Sequence, residues 1–168
     1  SWFIPVFPFD LDKDGKEEIW FVYNPDEDHP LDEGKYTLAR LDPMTGDMTG
    51  TFPWHGLSGD DLTMSHRYRH FIFGGYHHGE PVLVTAQGTY GRMQLQGWNT
   101  DMSQRWDIKI GKDEKGSISS HATVVVDIDM DGSDEFFYGE RCINIGTGEY
   151  KFIADENVWN GHSDLVLP

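Results

Sequence analysis

Asp10-Leu-Asp-Lys-Asp-Gly-Lys-Glu-Glu18 and Asp127-Ile-Asp-Met-Asp-Gly-Ser-Asp-Glu135 are two copies of one pattern, D-x-D-x-D-G-x-x-E. Each runs directly into an apolar stretch, Ile19-Trp-Phe-Val22 or Phe136-Phe-Tyr138. Carboxylates at loop positions one, three, five and nine, with a glycine for the sharp turn, suit a hard cation that prefers oxygen ligands, Ca²⁺ above all. The expected ligands are Asp10, Asp12, Asp14 and Glu18 in the first copy and Asp127, Asp129, Asp131 and Glu135 in the second. The spacing matches the first half of an EF-hand loop, but the glutamate at position twelve is missing and strands follow in place of helices. The plainer alternative is a solvated Asp-Gly turn. In either case the loops are expected to be architectural.

Outward from these loops the chain reads as all-β. No stretch of about 12 residues carries a helical period. Short strands punctuated by Gly, Pro, Asn and Asp recur instead, and aromatic residues are abundant, with 6 Trp, 7 Tyr and 10 Phe beside 19 Gly. A repeat is visible. One unit starts at Asp10, continues through Lys35–Leu41 and turns at Asp42-Pro-Met-Thr-Gly46. A second starts near Gly79, continues through Met93–Trp98 and turns at Asn99-Thr-Asp101. A third starts at Asp127, continues through Arg141–Ile145 and turns at Gly146-Thr-Gly148. A period of about 50 to 60 residues is in the range of propeller blades. The expectation is one domain, 1–168, of about three blades, roughly 1–60, 61–115 and 116–168. Since propellers close with about 4 to 8 blades, the chain is expected to be part of a larger seven- or eight-bladed ring. The remaining blades would lie on the same parent chain or another.

Composition narrows the partners. A net charge of −16 over 168 residues argues against general nucleic-acid binding. No apolar run is long enough to span a membrane. The single cysteine, Cys142, excludes an internal disulfide and sits in the apolar run Arg-Cys-Ile-Asn-Ile, as a buried thiol would. With neither a signal peptide nor an initiator Met, the chain is expected to be processed, trimmed or a fragment. Calcium loops saturate more readily outside the cytosol, which favours a secreted or periplasmic protein. The segments 24–34 and 111–120 read as polar, solvated loops.

Against this acidic background, residues 62–92 carry His66, Arg67, Arg69, His70, His77, His78 and Arg92 with one acid, Glu80. Such a cluster is a candidate site for an anionic ligand. Its centre is Phe73-Gly-Gly-Tyr-His-His-Gly79, and the following Gly88-Thr-Tyr-Gly-Arg92 is expected to return Arg92 to the same end of the sheet. Tyrosine, histidine and arginine together suit β-elimination on a uronic acid. That reaction needs a base for the proton alpha to the carboxylate, cationic stabilisation of the developing enolate and an acid for the leaving oxygen. Arg92 would bind the carboxylate bidentately, with Tyr76 as acid or base and His77 or His78 in the complementary role. The plainer readings are exposed loop histidines, a Tyr90 packed between blades, and Arg67 and Arg69 facing solvent. A zinc site from His66, His70, His77 and His78 is a weaker alternative, because the spacing is not a zinc pattern and only Cys142 offers a thiolate.

The run from Arg69 to Met93 resembles the rhamnogalacturonan lyase-like propeller enzymes. So do Gln104-Arg-Trp106, His121 ahead of the second acidic loop, and Trp159-Asn-Gly-His-Ser-Asp164. The resemblance covers 66–168 well and the first 65 residues loosely. It extends to rhamnogalacturonan lyases, ulvan lyases and lyases of rhamnosyl-glucuronate linkages. It implies calcium in the Asp-rich loops and cleavage of an acidic polysaccharide to an unsaturated uronate. In the ulvan and rhamnose-glucuronate branch it implies a catalytic Tyr76 followed by a carboxylate-neutralising Arg92, with a histidine from an earlier blade that has no assigned position in this sequence. His121 and His162 match histidine-bearing positions and join His66, Arg67, Arg69 and Tyr90 as candidate substrate-binding residues. The alternative is a non-catalytic, calcium-stabilised propeller module that binds carbohydrate or protein.

Overall fold

The computed structural model describes residues 6–28, 36–54, 56–57, 68–89, 92–111, 113–114 and 121–154. Among them are twelve strands in three four-stranded antiparallel sheets and no helix. The first sheet holds β1 (Val6–Phe9), β2 (Glu18–Tyr23), β3 (Thr37–Leu41) and β4 (Met48–Pro53). The second holds β5 (His70–His77), β6 (Glu80–Gln87), β7 (Met93–Trp98) and β8 (Gln104–Ile110). The third holds β9 (Val125–Val126), β10 (Glu135–Tyr138), β11 (Arg141–Asn144) and β12 (Tyr150–Ile153). Every sheet is a meander in chain order. The three starting points of the sequence repeat, Asp10, Gly79 and Asp127, fall at one topological position, the link from first to second strand.

The middle sheet is buried on both faces, which is why β6 is apolar almost without interruption. Side-chain parity sorts its residues. Phe71, Phe73, Val82, Val84, Ala86, Met93 and Leu95 pack with Phe136, Tyr138, Ile143 and Ile145 of the third sheet. Ile72, Leu83 and Trp98 point the other way, into Phe9, Leu11, Trp20, Val22 and Leu38 of the first. Each such side chain contributes about 1.5–3 kcal/mol of burial. Gly74 and Gly75 sit at the two sheet interfaces, where neighbouring side chains leave no room for a Cβ. A Cβ on Gly74 would stand 2.9 Å from the Phe9 ring, and one on Gly75 would stand 2.7 Å from both Asp134 Oδ2 and Val125 Cγ1. The two glycines thus seat the middle sheet against both neighbours.

The third-to-fourth-strand turns of the first and third sheets repeat in detail, while that of the middle sheet is one residue shorter and is capped from Asp101. Asp42 Oδ1 accepts from the Met44 and Thr45 amides, Asp101 Oδ1 from Ser103, and Asn144 Oδ1 from Gly146 and Thr147. Such side-chain-to-backbone bonds explain the choice of Asp and Asn there. Cys142 is fully buried, and that burial pushes its thiol up to about 11.

Candidate functional site

The two acidic loops share one hydrogen-bond framework. Asp10 Oδ1 and Oδ2 accept from the Asp14 and Gly15 amides at 3.1 and 3.0 Å, as Asp127 does from Asp131 and Gly132 at 3.1 and 2.9 Å. Glu18 Oε2 accepts from Leu11 N at 3.1 Å, and Glu135 Oε2 from Ile128 N at 3.2 Å. The backbone matches too. Lys13 and Met130 have φ of 63° and 58°, and Gly15 and Gly132 have φ of 87° and 88°. Asp10, Asp12 and Glu18 present oxygens within 4.8 Å of one another, as do Asp127, Asp129 and Glu135. This is a donor set of the kind a calcium ion takes. Asp14 and Asp131, expected as ligands, stand outside those sets. Their Oδ1 atoms instead cap the Lys16 and Ser133 amides at 2.8 Å.

The surroundings of the loops differ. Burial raises the Glu18 carboxyl above its ordinary range, with the Asp12 charge adding to the effect. In the second loop Lys151 Nζ lies 2.6 Å from Asp129 Oδ2, 2.9 Å from Glu135 Oε1 and 3.5 Å from Asp131 Oδ2. Its hydrogen bond lowers Asp129, and its own pKa is raised by Asp129 and Glu135. Sequence reading missed Lys151. It follows Glu135, the last residue of the loop, by 16 positions and reaches it because β12 shifts register opposite Cys142 and Ile143.

Between the two loops sits the β5–β6 hairpin. His78 and Gly79, at φ 51° and 80°, form a tight two-residue turn of the I′ kind. Lys13 of the first loop reaches Glu80 at 3.0 Å. On the other side His78 N donates to Gly132 O, and Asp134 N donates to Tyr76 O. Tyr76 N donates to Asp134 Oδ2 at 2.7 Å. His77 Nδ1 lies 2.7 Å from Ser133 Oγ, which accepts from Asn144 Nδ2, and Asn144 Nδ2 also donates to Glu135. Burial, then the nearby charges of His78 and Arg105, hold His77 below its ordinary pKa. Tyr76 is exposed and rests on the Phe9 ring, with centroids 5.7 Å apart.

Arg92 is not at this end. Tyr76 pairs with Pro81, whereas Gln94, two residues after Arg92, pairs with Gln87, and Gln87 pairs with His70. Six residues at about 3.3 Å each separate the two ends of β5, or about 20 Å. The expected return of Arg92 to the Tyr76 end is therefore incorrect, because a single traverse by β6 carries the chain to the opposite end. There Arg92 is half-buried, and its carbonyl stands beside Gly88. Arg69 is at this end too, with its carbonyl accepting from Gly88 N. Arg69 Nη1 lies 3.3 Å from His121 Nε2. Tyr138 Oη donates to Gly88 O at 2.6 Å. A cavity of about 280 Å³, lined by Phe7, Phe71, Ile72, Phe73, His121 and Thr123, opens beside them. Arg69 is thus half-buried against a histidine and does not merely face solvent. The candidate residues His66, Arg67, Tyr90 and His162 lie outside the described residues.

The histidines named for zinc do not converge. His70 is buried at the start of β5, in edge contact with the Tyr36 and Trp54 rings, while His77 and His78 are at the far end of that strand. Among the described residues, only the two acidic loops bring together three such ligand groups.

No protein-family model matches the chain, and no curated protein matches it. Solved structures do. The chain superposes on rhamnogalacturonan lyase YesW with a TM-score of 0.72 and 20% identity, over 89% of its own length and 31% of that enzyme. With the exotype rhamnogalacturonan lyase YesX the TM-score is 0.69 at 25% identity, over 88% of this chain and 30% of the other. With the Bacillus licheniformis rhamnogalacturonan lyase PL11 it is 0.71 at 22% identity, over 95% and 32%. The three-sheet fold is therefore one that rhamnogalacturonan lyases contain, and the chain spans about 30% of their length.

Proposed function

We propose that this chain is part of a calcium-bearing β-propeller polysaccharide lyase, its sheets serving as blades. Its substrate would be an acidic polysaccharide of rhamnose and uronate, of the rhamnogalacturonan or ulvan type. The observation that carries this reading is the likeness of the whole three-sheet arrangement to three rhamnogalacturonan lyases, one of them 25% identical. The remaining blades belong to the same parent chain or to another, and the enzyme acts outside the cytosol.

In such an elimination a base takes the proton alpha to the uronate carboxylate. The electron pair forms the new double bond, and the glycosidic oxygen leaves with a proton; nothing is oxidised. Stabilising the charge that develops on the carboxylate is the largest demand. Arg92, with Arg69 and His121 at the same end and a cavity beside them, supports placing the carboxylate there. Tyr76, His77 and His78 belong to the loop-bearing end, so the proton-transfer groups of this site are others. Tyr90, two positions from Arg92 in sequence, is the first to test. Asp10, Asp12 and Glu18 would hold Ca²⁺, which fixes the link between β1 and β2 and takes no part in the chemistry.

A second reading is a non-catalytic propeller module that binds carbohydrate or protein. It is favoured by the separation of Tyr76 from Arg92. The test is incubation with rhamnogalacturonan, ulvan and related polymers in Ca²⁺, following the ultraviolet absorption of the unsaturated uronate. It is run with this chain and with a polypeptide extended at both ends. Absorption that rises and is lost in Arg92→Ala supports the lyase. Binding without absorption from either polypeptide supports the module.

A further inference from the structure

We infer that the two acidic loops are not equivalent cation sites: Lys151 neutralises the 127–135 loop from within, and the 10–18 loop alone takes a divalent cation. This rests on the calcium reading of the loops given above. The two frameworks agree bond for bond and in backbone conformation, so the difference lies in what stands over them. In the second loop the Lys151 ammonium contacts the carboxylates at positions three, five and nine, at 2.6, 3.5 and 2.9 Å. It is a stand-in cation, and its place shows that these oxygens converge on positive charge. A calcium ion needs its oxygens at about 2.3–2.6 Å, so ion and ammonium cannot share that centre.

The first loop has no such occupant. The sheets correspond across their bulges: Leu41 pairs with Met48 and Arg40 with Gly50, as Ile143 pairs with Tyr150 and Cys142 with Phe152. The counterpart of Lys151 is therefore Thr49, an uncharged residue whose hydroxyl accepts from Arg40 Nε at 3.1 Å. The Arg40 guanidinium is turned over the Trp20 and Phe52 rings, at 5.8 and 6.0 Å. Lys13, inside the loop, reaches away to Glu80. Among the described residues, no lysine or arginine nitrogen forms an ion pair with Asp10, Asp12, Asp14 or Glu18. The converging carboxylates of Asp10, Asp12 and Glu18 remain there for a cation from solution.

The test is the Ca²⁺ stoichiometry of the chelator-stripped full chain by titration calorimetry, with circular dichroism to verify folding. We expect one site in the wild type, none in Asp12→Asn, one in Asp129→Asn and two in Lys151→Met. Lys151→Gln serves as a second neutral variant should the methionine disturb the fold. Two sites in the wild type, or one remaining in Asp12→Asn, would overturn the inference and leave the calcium reading intact. A single site in both folded lysine variants would also overturn it. No binding by any form would overturn the calcium reading itself.

Discussion

His77 Nδ1 lies 2.7 Å from Ser133 Oγ, so the first hairpin of the middle sheet is bound to the closing turn of the second acidic loop. The His77 ring also covers Gly146, where a Cβ would collide with it. His77 is thus a joint between sheets. His77→Ala should cost about 1–2 kcal/mol of stability through the lost hydrogen bond and packing. Urea unfolding monitored by tryptophan fluorescence measures it, and an unchanged midpoint would contradict this role.

Tyr76 and Arg92 cannot serve one reacting sugar ring from opposite ends of β5. In an active polypeptide, Arg92→Ala should lower kcat/KM by about 100-fold or more, while Tyr76→Phe changes it by less than about threefold, because on the proposed placement of the carboxylate only Arg92 meets the developing charge. Equal losses in both variants would refute the placement of the carboxylate.

His70 makes stability depend on pH. Burial lowers its pKa from the ordinary 6.5 to about 3. The unfolded chain therefore binds the extra proton first, and stability is present above 6.5 and lost as pH falls toward 3. The slope approaches about 1.4 kcal/mol per pH unit within that window. His70→Phe, which keeps a ring between Tyr36 and Trp54, should flatten the profile relative to wild type. Parallel profiles for the two proteins would count against this.

The Gly74-Gly75 pair should tolerate no side chain without cost. Gly75→Ala drives a methyl into Val125 and into Asp134, whose Oδ2 already holds the Tyr76 amide. Gly74→Ala meets only the Phe9 ring, which can turn aside. We expect losses of about 1–3 kcal/mol, the larger at Gly75. Thermal melts of the two alanine variants provide the comparison.

What the sequence discloses here is local. The acidic loops are legible because their ligands lie within nine positions, and the turns holding Asp42 and Asp101 because Asp announces side-chain-to-backbone bonds. The third turn was placed two residues late, since Asn144 begins it. The end of the sheet at which Arg92 lies follows from one count. His78-Gly79 is a two-residue turn followed by eight strand residues, Glu80 to Gln87, and an uninterrupted strand of that length must end across the sheet. Counting that traverse would have separated Tyr76 from Arg92. Lys151 has no local signature, because its position depends on a register shift between strands that pair late in the chain.

The two-sided burial of the middle sheet also sets an order of assembly. Among the described residues every strand in a sheet pairs with its neighbour in sequence, which keeps loop-closure costs low and favours rapid formation. As the chain is synthesised, β1 to β4 emerge before β5 and β6, with the Leu11, Trp20 and Leu38 face bare. The β5–β6 hairpin then covers that face through Ile72 and Leu83 and exposes Phe71, Phe73, Val82 and Val84 in its place. The third sheet closes over these in turn. Each sheet is thus the template for the next, and a chain truncated after residue 110 would display the sticky face of an unfinished array.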